Sequence, residues 1–257
     1  MSGVGLGRAR WYQTDPSWSS TSEATERAWS LYSAGVNDPL ATVLLIAMGY
    51  LLGSLPMGVI VARLTGGTDP RTVGSGRTGG TNALRAMGPG RAVAIAALDV
   101  GKGAAAILLA RALGGDEASQ ALAGLAAVLG SWKSVFLRFH GGRGVATGVG
   151  GMLVVSVAVC LIAAPVFFIV IAVTRFVSLG SLLTTAFGAL VTLGFVLLGW
   201  LPVAWLLYVA PGTAIVWLAH ADNIARLRAG TERRFDPRDR QPTPPPAGVG
   251  EPPGRRS

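Results

Sequence analysis

Residues 176–221 read FVSLGSLLTTAFGALVTLGFVLLGWLPVAWLLYVAPGTAIVWLAHA and carry no acidic or basic side chain other than that of His220. A helix needs about 20 mostly apolar residues to cross a membrane, and this stretch is about twice that length. The stretch therefore predicts two membrane spans with a hinge near Trp200, Leu201 and Pro202. Trp200 and Trp205 are typical of the interfacial belt where tryptophan is enriched.

Four more apolar stretches precede this one, and together they predict an all-α, polytopic membrane protein with seven transmembrane helices, some of them short or broken. They run from Ala41 to Ala62, Ala92 to Ala110, Ala118 to Trp132 and Val149 to Thr174. The last stretch contains Pro165 and fits either two short crossings or one kinked, re-entrant pair. The count of seven depends on its being split in two.

The composition agrees with a membrane protein and disfavours other classes. Hydrophobic residues make up 51% of the 257 residues and charged residues 14%, against about a quarter charged in soluble domains. Cys160 is the only cysteine, which excludes a disulfide scaffold, and His140 and His220 are the only histidines, which disfavours a Cys/His metal cluster. The net charge of +9 indicates basic loops beside anionic lipid, and we expect no nucleic-acid partner.

The arginines predict how the helices are oriented. Basic residues gather in residues 63–91, at Arg138 and Arg143, at Arg175 and from Arg226 onward, whereas Asp116 and Glu117 occupy a loop between two spans. Positive residues favour the cytoplasmic side. The pattern predicts that the basic loops face the cytoplasm and that the N-terminus lies outside.

The chain divides into three parts by composition. Residues 1–38 form a polar N-terminal extension without an apolar run, in which no signal peptide is evident. Residues 39–235 form the membrane domain. Residues 236–257 are rich in Pro and Arg and predict a disordered tail.

The first unusual loop reads GSGRTGGTNALR over residues 74–85. Glycines let backbone N–H groups approach an anion, and Ser, Thr and Asn add neutral donors. Arg77 and Arg85 add fixed positive charge that suits phosphate oxygens. The alternative is a flexible glycine-rich turn whose arginines only set the topology.

The second unusual loop reads RFHGGRGVATG over residues 138–148 and has the same composition, with Arg143 at its centre. Both loops lie on the predicted cytoplasmic side. Together they predict one anion site or two adjoining ones, and hence a substrate pair that carries two phosphates.

Two pairs of polar residues stand three positions apart. His220 and Asn223 would share one helix face near the end of the last span, where an imidazole can act as acid, base or donor. The alternative for His220 is an interfacial or capping role. Asp99 and Lys102 lie inside a span, where ionisable residues are costly, and we interpret them as a structural ion pair.

Six ordered blocks resemble the bacterial membrane glycerol-3-phosphate acyltransferases that use acyl-phosphate, the PlsY family. The resemblance covers roughly Met48 to Phe235. In sequence, the blocks are GSLPMG (53–58), GSG…GGTN…LR (74–85), LDVGKG (98–103), GGRGVATG (141–148), RFVSLGS (175–181) and H…NI…RL…GTE (220–232).

The resemblance implies transfer of a fatty acyl group from acyl-phosphate to the 1-hydroxyl of glycerol 3-phosphate, giving lysophosphatidic acid and phosphate. It also implies seven helices and a cytoplasm-facing site in a bacterial inner (plasma) membrane, with membrane lipid around it. The catalytic residues would be Ser75, Arg85, Arg143, His220 and Asn223. The substrate-binding residues would be Gly74, Gly76, Arg77, Gly79, Thr81, Asn82, Gly141, Gly142, Gly144, Thr147 and Ser181.

No cofactor is expected, and no metal, because Asp69 is the only carboxylate near the two loops. The chain departs from the family pattern at three places: Arg143 replaces a lysine, Arg77 replaces an asparagine, and Ser131 and Ser134 stand where a histidine and a proline are usual. These departures leave open a divergent or inactive member with another donor or acceptor. A small transporter is a further alternative, since its spans are often broken by Gly and Pro.

Overall fold

A computed structural model describes residues 39–236, which form helices and no strand. The predicted N-terminal extension and, apart from Asp236, the predicted tail lie outside these residues. The α-helices are α1 (Pro39–Ser54), α2 (Met57–Leu64), α3 (Gly80–Met87), α4 (Pro89–Ala112), α5 (Glu117–Trp132), α6 (Val145–Val155), α7 (Val157–Thr174), α8 (Val177–Leu197), α9 (Leu206–Ala219) and α10 (Ala221–Arg228). Short 3₁₀ turns cover Pro70–Thr72, Val135–Leu137 and Val203–Trp205.

The described helices agree with the predicted membrane architecture in length and apolarity. Four of them are long and apolar enough to cross a membrane, and six spans result if each of two bent pairs counts as one. These pairs are α1 with α2, bent by 46°, and residues 203–219 with α10, bent by 58°. Helix α6 is a shorter apolar helix. The all-α class is confirmed, whereas the count of seven crossings stays a prediction.

The long apolar stretch from Val149 to Thr174 is divided, but not at its proline. The helix breaks at Ser156, whose φ of −159° is extended, and the Ser156 hydroxyl accepts a hydrogen bond from the Val159 N–H at 3.3 Å. A serine that caps a new helix supplies the acceptor that the first turn lacks. Pro165 lies inside α7.

The predicted hinge between the last two spans is present. Helix α8 ends at Leu197, Gly199 has a φ of +74°, and α9 follows the 3₁₀ turn after Pro202. We predicted both tryptophans of this hinge at the membrane interface. The exposure of Trp200, 66%, agrees with that prediction, but the prediction for Trp205 is wrong. Trp205 is 4% exposed because it packs into the main core cluster with Ile107, Val128 and Tyr208.

Helix α5 lies at the centre of the bundle and contacts α1, α4, α6 and α9. Its small residues permit this position. A Cβ added to Gly49 of α1 would overlap the backbone of Ala123, and one added to Gly53 would overlap the backbone of Ala127. Two small residues four positions apart on each helix let the backbones of membrane helices touch.

The predicted ion pair between Asp99 and Lys102 is present within α4, and its lysine also reaches the break between α1 and α2. Lys102 Nζ lies 2.8 Å from Asp99 Oδ1 and donates to the Leu55 carbonyl at 3.0 Å. Leu55 precedes Pro56 at the break between α1 and α2. The Leu55 carbonyl also accepts from the Met57 N–H at 3.1 Å, so the lysine adds a second donor at the helix break.

Candidate functional site

The first loop lies between the turn Pro70–Thr72 and α3, and the side chain of Asn82 holds it together. Asn82 is 3% exposed. Its Nδ2 shares two hydrogens among the carbonyls of Arg77 at 2.9 Å and Val73 at 3.1 Å and the hydroxyl of Ser75 at 3.1 Å, and lies 3.4 Å from the Pro70 carbonyl. Its Oδ1 accepts from the Ser75 N–H at 3.3 Å. The loop is thus a fixed turn, which disfavours the alternative of a merely flexible glycine-rich segment.

The loop's glycines are required by its backbone. Gly74 and Gly76 have φ values of +58° and +69°, in the region that favours glycine. A Cβ on Gly74 would lie 2.5 Å from Asn82 Oδ1 and 3.2 Å from Arg85 Nη1. Gly74, Asn82 and Arg85 are therefore in close contact at the start of the loop.

Ser75 is oriented as a donor. Its Oγ accepts a hydrogen bond from Asn82 Nδ2 at 3.1 Å, so its own O–H remains for another acceptor. Ser75 and Arg77 are partly exposed, whereas Arg85 is 8% exposed with Nη1 at 3.5 Å from Asn82 Oδ1. The N–H groups at the start of α3, which include that of Thr81, follow directly after Gly79.

The second loop is attached to the end of α5. The N–H groups of Gly141 and Gly142 donate to the carbonyls of Trp132 and Ser131 at 2.9 and 2.8 Å. Gly144 has a φ of +79°, and a Cβ there would lie 3.0 Å from Val128 Cγ1. Helix α6 begins at Val145, directly after this turn.

The two loops lie next to each other. A Cβ added to Gly142 would be 3.4 Å from Thr78 Oγ1, so only about the width of a methyl group separates them. Burial lowers the pKa of the Arg143 guanidinium, the carboxylate of Asp222 opposes this shift, and the positive charge of Arg77 adds to it. Arg77 and Arg143 come from different loops, so both contribute charge to one region.

Arg143 connects the second loop to the first turn of α10. Its Nη2 lies 3.3 Å from Asp222 Oδ2 on α10, and its Nε is buried without a hydrogen-bond partner. A buried donor without a partner is costly in a protein. The orphaned Nε therefore marks a place where a ligand oxygen would be stabilising.

His220 lies at the bend between α9 and α10, beside this region. It is 2% exposed, and its Nδ1 lies 2.8 Å from the Val216 carbonyl. A carbonyl only accepts, so Nδ1 carries the hydrogen and Nε2 of the neutral ring is an acceptor. The sequence predicted His220 and Asn223 on one helix face. In the structure His220 stands at a bend of 58° between α9 and α10, and Asn223 lies in the first turn of α10.

Asn223 is held by Glu232, a residue that we did not predict to act at the site. Asn223 Nδ2 donates to Glu232 Oε1 at 2.6 Å, and Asn223 Oδ1 is buried without a partner. Glu232 also accepts from Ser178 at 2.9 Å and from Arg226 Nε at 2.9 Å. The GTE triplet at 230–232 was visible in the sequence, but its contacts depend on the tertiary fold.

For two predicted substrate-binding residues, Ser181 and Thr147, the structure gives no side-chain hydrogen bond to the other described residues of the site. The Ser181 hydroxyl donates to the Val177 carbonyl of its own helix at 3.0 Å, one turn beyond Ser178. Thr147, in the first turn of α6, has a buried Oγ1 without a partner. In the part of the chain from residue 39 to 236, no three His, Cys, Asp or Glu side chains group into a candidate metal site.

Comparisons with known proteins agree on one family. A family model described as glycerol-3-phosphate acyltransferase matches residues 43–230. A glycerol-3-phosphate acyltransferase of Thermus thermophilus is 44% identical over 200 residues, covering 77% of this chain and 97% of the relative.

Two crystal structures of PlsY, an integral membrane glycerol 3-phosphate acyltransferase, are similar to this fold. The glycerol 3-phosphate form has a TM-score of 0.69 at 37% identity, and the lysophosphatidic acid form has a TM-score of 0.67 at 34% identity. Each match covers 76% of this chain and 96% of the solved chain.

Proposed function

Because the chain belongs to the glycerol-3-phosphate acyltransferase family, we propose that it transfers a fatty acyl group from acyl-phosphate to the 1-hydroxyl of glycerol 3-phosphate. The products are lysophosphatidic acid and inorganic phosphate, in the first step of phospholipid synthesis. The two similar crystal structures of PlsY are its glycerol 3-phosphate form and its lysophosphatidic acid form. They support glycerol 3-phosphate as the acceptor and lysophosphatidic acid as the product.

The observation that carries the proposal is the meeting of the two glycine-rich loops beside Arg143 and His220. Thr78 of one loop lies next to Gly142 of the other, so that a Cβ added to Gly142 would be 3.4 Å from Thr78 Oγ1, and Arg143 reaches Asp222, two residues after His220. The reaction brings together an acyl-phosphate and a phosphate monoester, which repel each other. Fixed guanidinium groups and backbone N–H groups stabilise such a pair of anions.

The donor supports a reaction without a covalent acyl-enzyme. An acyl-phosphate is an activated mixed anhydride, so the hydroxyl oxygen of glycerol 3-phosphate can attack the acyl carbon directly. The new C–O ester bond forms, the C–O bond to phosphate breaks, and the hydroxyl proton ends on the departing phosphate. The protein then contributes orientation and charge stabilisation, which are large effects in catalysis.

The loops and helix ends supply complementary groups for the two substrates. Ser75 O–H, Arg77, Arg85 and Arg143 are donors that suit phosphate oxygens. His220 Nε2 and Asn223 Oδ1 are acceptors, so they suit the hydroxyl hydrogens of glycerol 3-phosphate. Arg143 keeps the positive charge of the lysine usual in the family, and we propose that it clamps phosphate.

The protein is embedded in a membrane, and we propose that its site faces the cytoplasm of a bacterial cell. Both loops adjoin the arginine-rich segments, and positive segments favour the cytoplasmic side. Large apolar side chains are exposed on α7 and α8, which supports contact of both helices with lipid. Examples are Phe168, Val173 and Leu197. We also propose seven crossings, with α6 as the short one.

The test is acyl transfer by the purified protein in detergent or liposomes. Acyl-phosphate and glycerol 3-phosphate are supplied without metal or coenzyme, and lysophosphatidic acid and phosphate are measured. We expect equal amounts of both products. His220→Ala should lose activity by about 100-fold or more, whereas His140→Ala, an exposed histidine, should keep it. Absence of product with donors of several chain lengths would contradict the proposal.

A further inference from the structure

One carboxylate lies among the arginines of the site, and nothing in the proposed reaction uses it. Asp222 Oδ2 is 3.3 Å from Arg143 Nη2 and 3.6 Å from Arg226 Nη1. Arg77 also acts on this carboxylate, and together the three arginines favour its charged form. Asp222 is therefore an anion with two guanidinium groups within 4 Å, those of Arg143 and Arg226, and with the positive charge of Arg77 in the same region.

The contact between Arg143 and Asp222 uses only part of what the guanidinium offers. Nε and Nη2 form one edge of a guanidinium, and a carboxylate or phosphate can bind that edge with two oxygens. Asp222 contacts Nη2 alone, through one oxygen at 3.3 Å, while Nε is buried and unpartnered. A phosphate on the same edge would satisfy both donors.

Asp222 has another partner on its own helix. Arg226 stands four residues later, and Arg226 Nε is fixed by Glu232 Oε2 at 2.9 Å. Glu232 is in turn fixed by Asn223 and Ser178. Asp222 is also 41% exposed, so its carboxylate has room to move. It can leave Arg143 and keep an ion pair with Arg226.

We propose that Asp222 is the resident counter-ion of the phosphate site: it pairs with Arg143 in the unliganded protein and gives up that arginine to a substrate phosphate. The inference rests on the proposed function, in which Arg143 clamps phosphate. Asp222 holds the guanidinium in position and lowers the affinity of the site for any phosphate. The same effect speeds release of inorganic phosphate after transfer.

The first test measures binding of inorganic phosphate to the purified protein by calorimetry, without turnover. Asp222→Asn keeps the shape of the side chain and removes the competing charge. An ion pair of this exposure is worth about 0.2–1 kcal/mol, so we expect phosphate to bind up to about fivefold more tightly. Asp116→Asn, the same change at the N-cap of α5 at the other end of the bundle, should leave phosphate binding unchanged.

A purely structural salt bridge predicts the opposite result. If Asp222 only holds Arg143 in place, its loss disorders the guanidinium and weakens phosphate binding. Unchanged or weaker binding in Asp222→Asn therefore overturns the proposal. If that variant does not fold, Asp222→Ser carries the same expectation, because a hydroxyl is also accepted in the first turn of a helix.

The second test separates this proposal from the proposed function. In the transfer assay, Asp222→Asn should lower the KM for glycerol 3-phosphate or acyl-phosphate, lower the inhibition constant of phosphate, and lower kcat because product leaves more slowly. A wild-type protein that forms no lysophosphatidic acid overturns the proposed function, even if the binding result holds. An active wild type with unchanged phosphate inhibition in Asp222→Asn overturns only the role of Asp222.

Discussion

The side-chain amide of Asn82 donates to the hydroxyl of Ser75 at 3.1 Å while its carbonyl oxygen accepts from the Ser75 N–H at 3.3 Å. This reciprocal contact fixes both the backbone and the hydroxyl of Ser75, which we propose donates a hydrogen bond to a substrate phosphate. Asn82 is buried, and its polar atoms are engaged within the loop. We therefore propose that Asn82 acts by positioning Ser75 and the loop, and not by direct contact with substrate.

Asn82→Asp should strongly reduce activity, because the carboxylate keeps the shape but donates to none of the carbonyls. Each lost buried hydrogen bond costs about 1 kcal/mol or more, and we expect a loss of kcat/KM of about 100-fold. Steady-state kinetics on the purified variant measure this loss. Gln120→Glu is the matched control, since it is the same chemical change at the opposite end of the bundle and keeps the contact with Arg111. Similar losses in both variants would contradict a role specific to the loop.

Gly74→Ala should inactivate the protein while Gly66→Ala should not. Both glycines have left-handed backbones, with φ values of +58° and +61°, so both substitutions carry a strain of about 1 kcal/mol. Only the methyl group at position 74 meets another atom, since it would lie 2.5 Å from Asn82 Oδ1, whereas position 66 has no heavy atom within 4 Å. Activity and melting temperature of the two variants separate strain from collision. Equal loss in both would show that backbone strain alone matters.

Arg143→Ala should abolish transfer, with a loss of about 100-fold or more, because a charge aimed at the phosphate is removed from a partly desolvated site. Arg143→Lys should retain transfer, since it preserves the charge that the family pattern places there. The matched control is Arg138→Ala, an exposed arginine of the same segment that should keep activity. Full activity of Arg143→Ala in the same assay would refute the proposed clamp.

The extent of the helices was predictable from sequence because apolarity is a local property. Residues 176–221 indeed form two helices with a hinge after Leu197. The break at Ser156 and the burial of Trp205 were not predicted. Whether a serine interrupts a helix, or a tryptophan faces lipid or protein, depends on how neighbouring helices pack. The local sequence alone does not show this packing.

The candidate site was predictable where its residues have an unusual local composition, as in the glycine-rich loops and at His220. Asp222 and Glu232 were not predicted to act there. Asp222 pairs with a residue 79 positions earlier, and Glu232 binds Ser178, 54 positions earlier. Their sequence neighbourhoods are ordinary for a charged helix end, so only the fold reveals their partners.

Gly53→Ala should destabilise the bundle, because the added methyl overlaps the Ala127 backbone where α1 and α5 touch. Overpacking of this kind costs about 1–3 kcal/mol. Gly101→Ala in α4 meets no heavy atom within 4 Å and should gain up to about 1 kcal/mol from helix propensity. Melting temperatures in the same detergent should therefore move in opposite directions. A common direction for both would contradict the inferred helix contact.

Lys102→Met should destabilise the protein more than Asp99→Asn does. The methionine leaves the Asp99 carboxylate without its partner and removes one of the two donors to the Leu55 carbonyl, the other being the Met57 N–H. Removing one member of a buried ion pair costs about 3–5 kcal/mol. Asp99→Asn leaves the bond from Lys102 to Leu55 in place. The double variant should lie between the two single variants, since it leaves no unpaired charge.

Lys102→Met should also affect the candidate site, because Lys102 binds the break between α1 and α2. Gly58 of α2 packs against the Thr78 carbonyl of the first loop, so a shift of α2 moves the loop that holds Ser75. We expect kcat of Lys102→Met to fall even under conditions where the variant stays folded. Arg111→Met removes a positive charge from the same helix, but its hydrogen-bond partner, Gln120, is neutral, so stability and kcat should change little. A double variant less stable than Lys102→Met, or a folded Lys102→Met with wild-type kcat, would contradict this coupling between the ion pair and the loop.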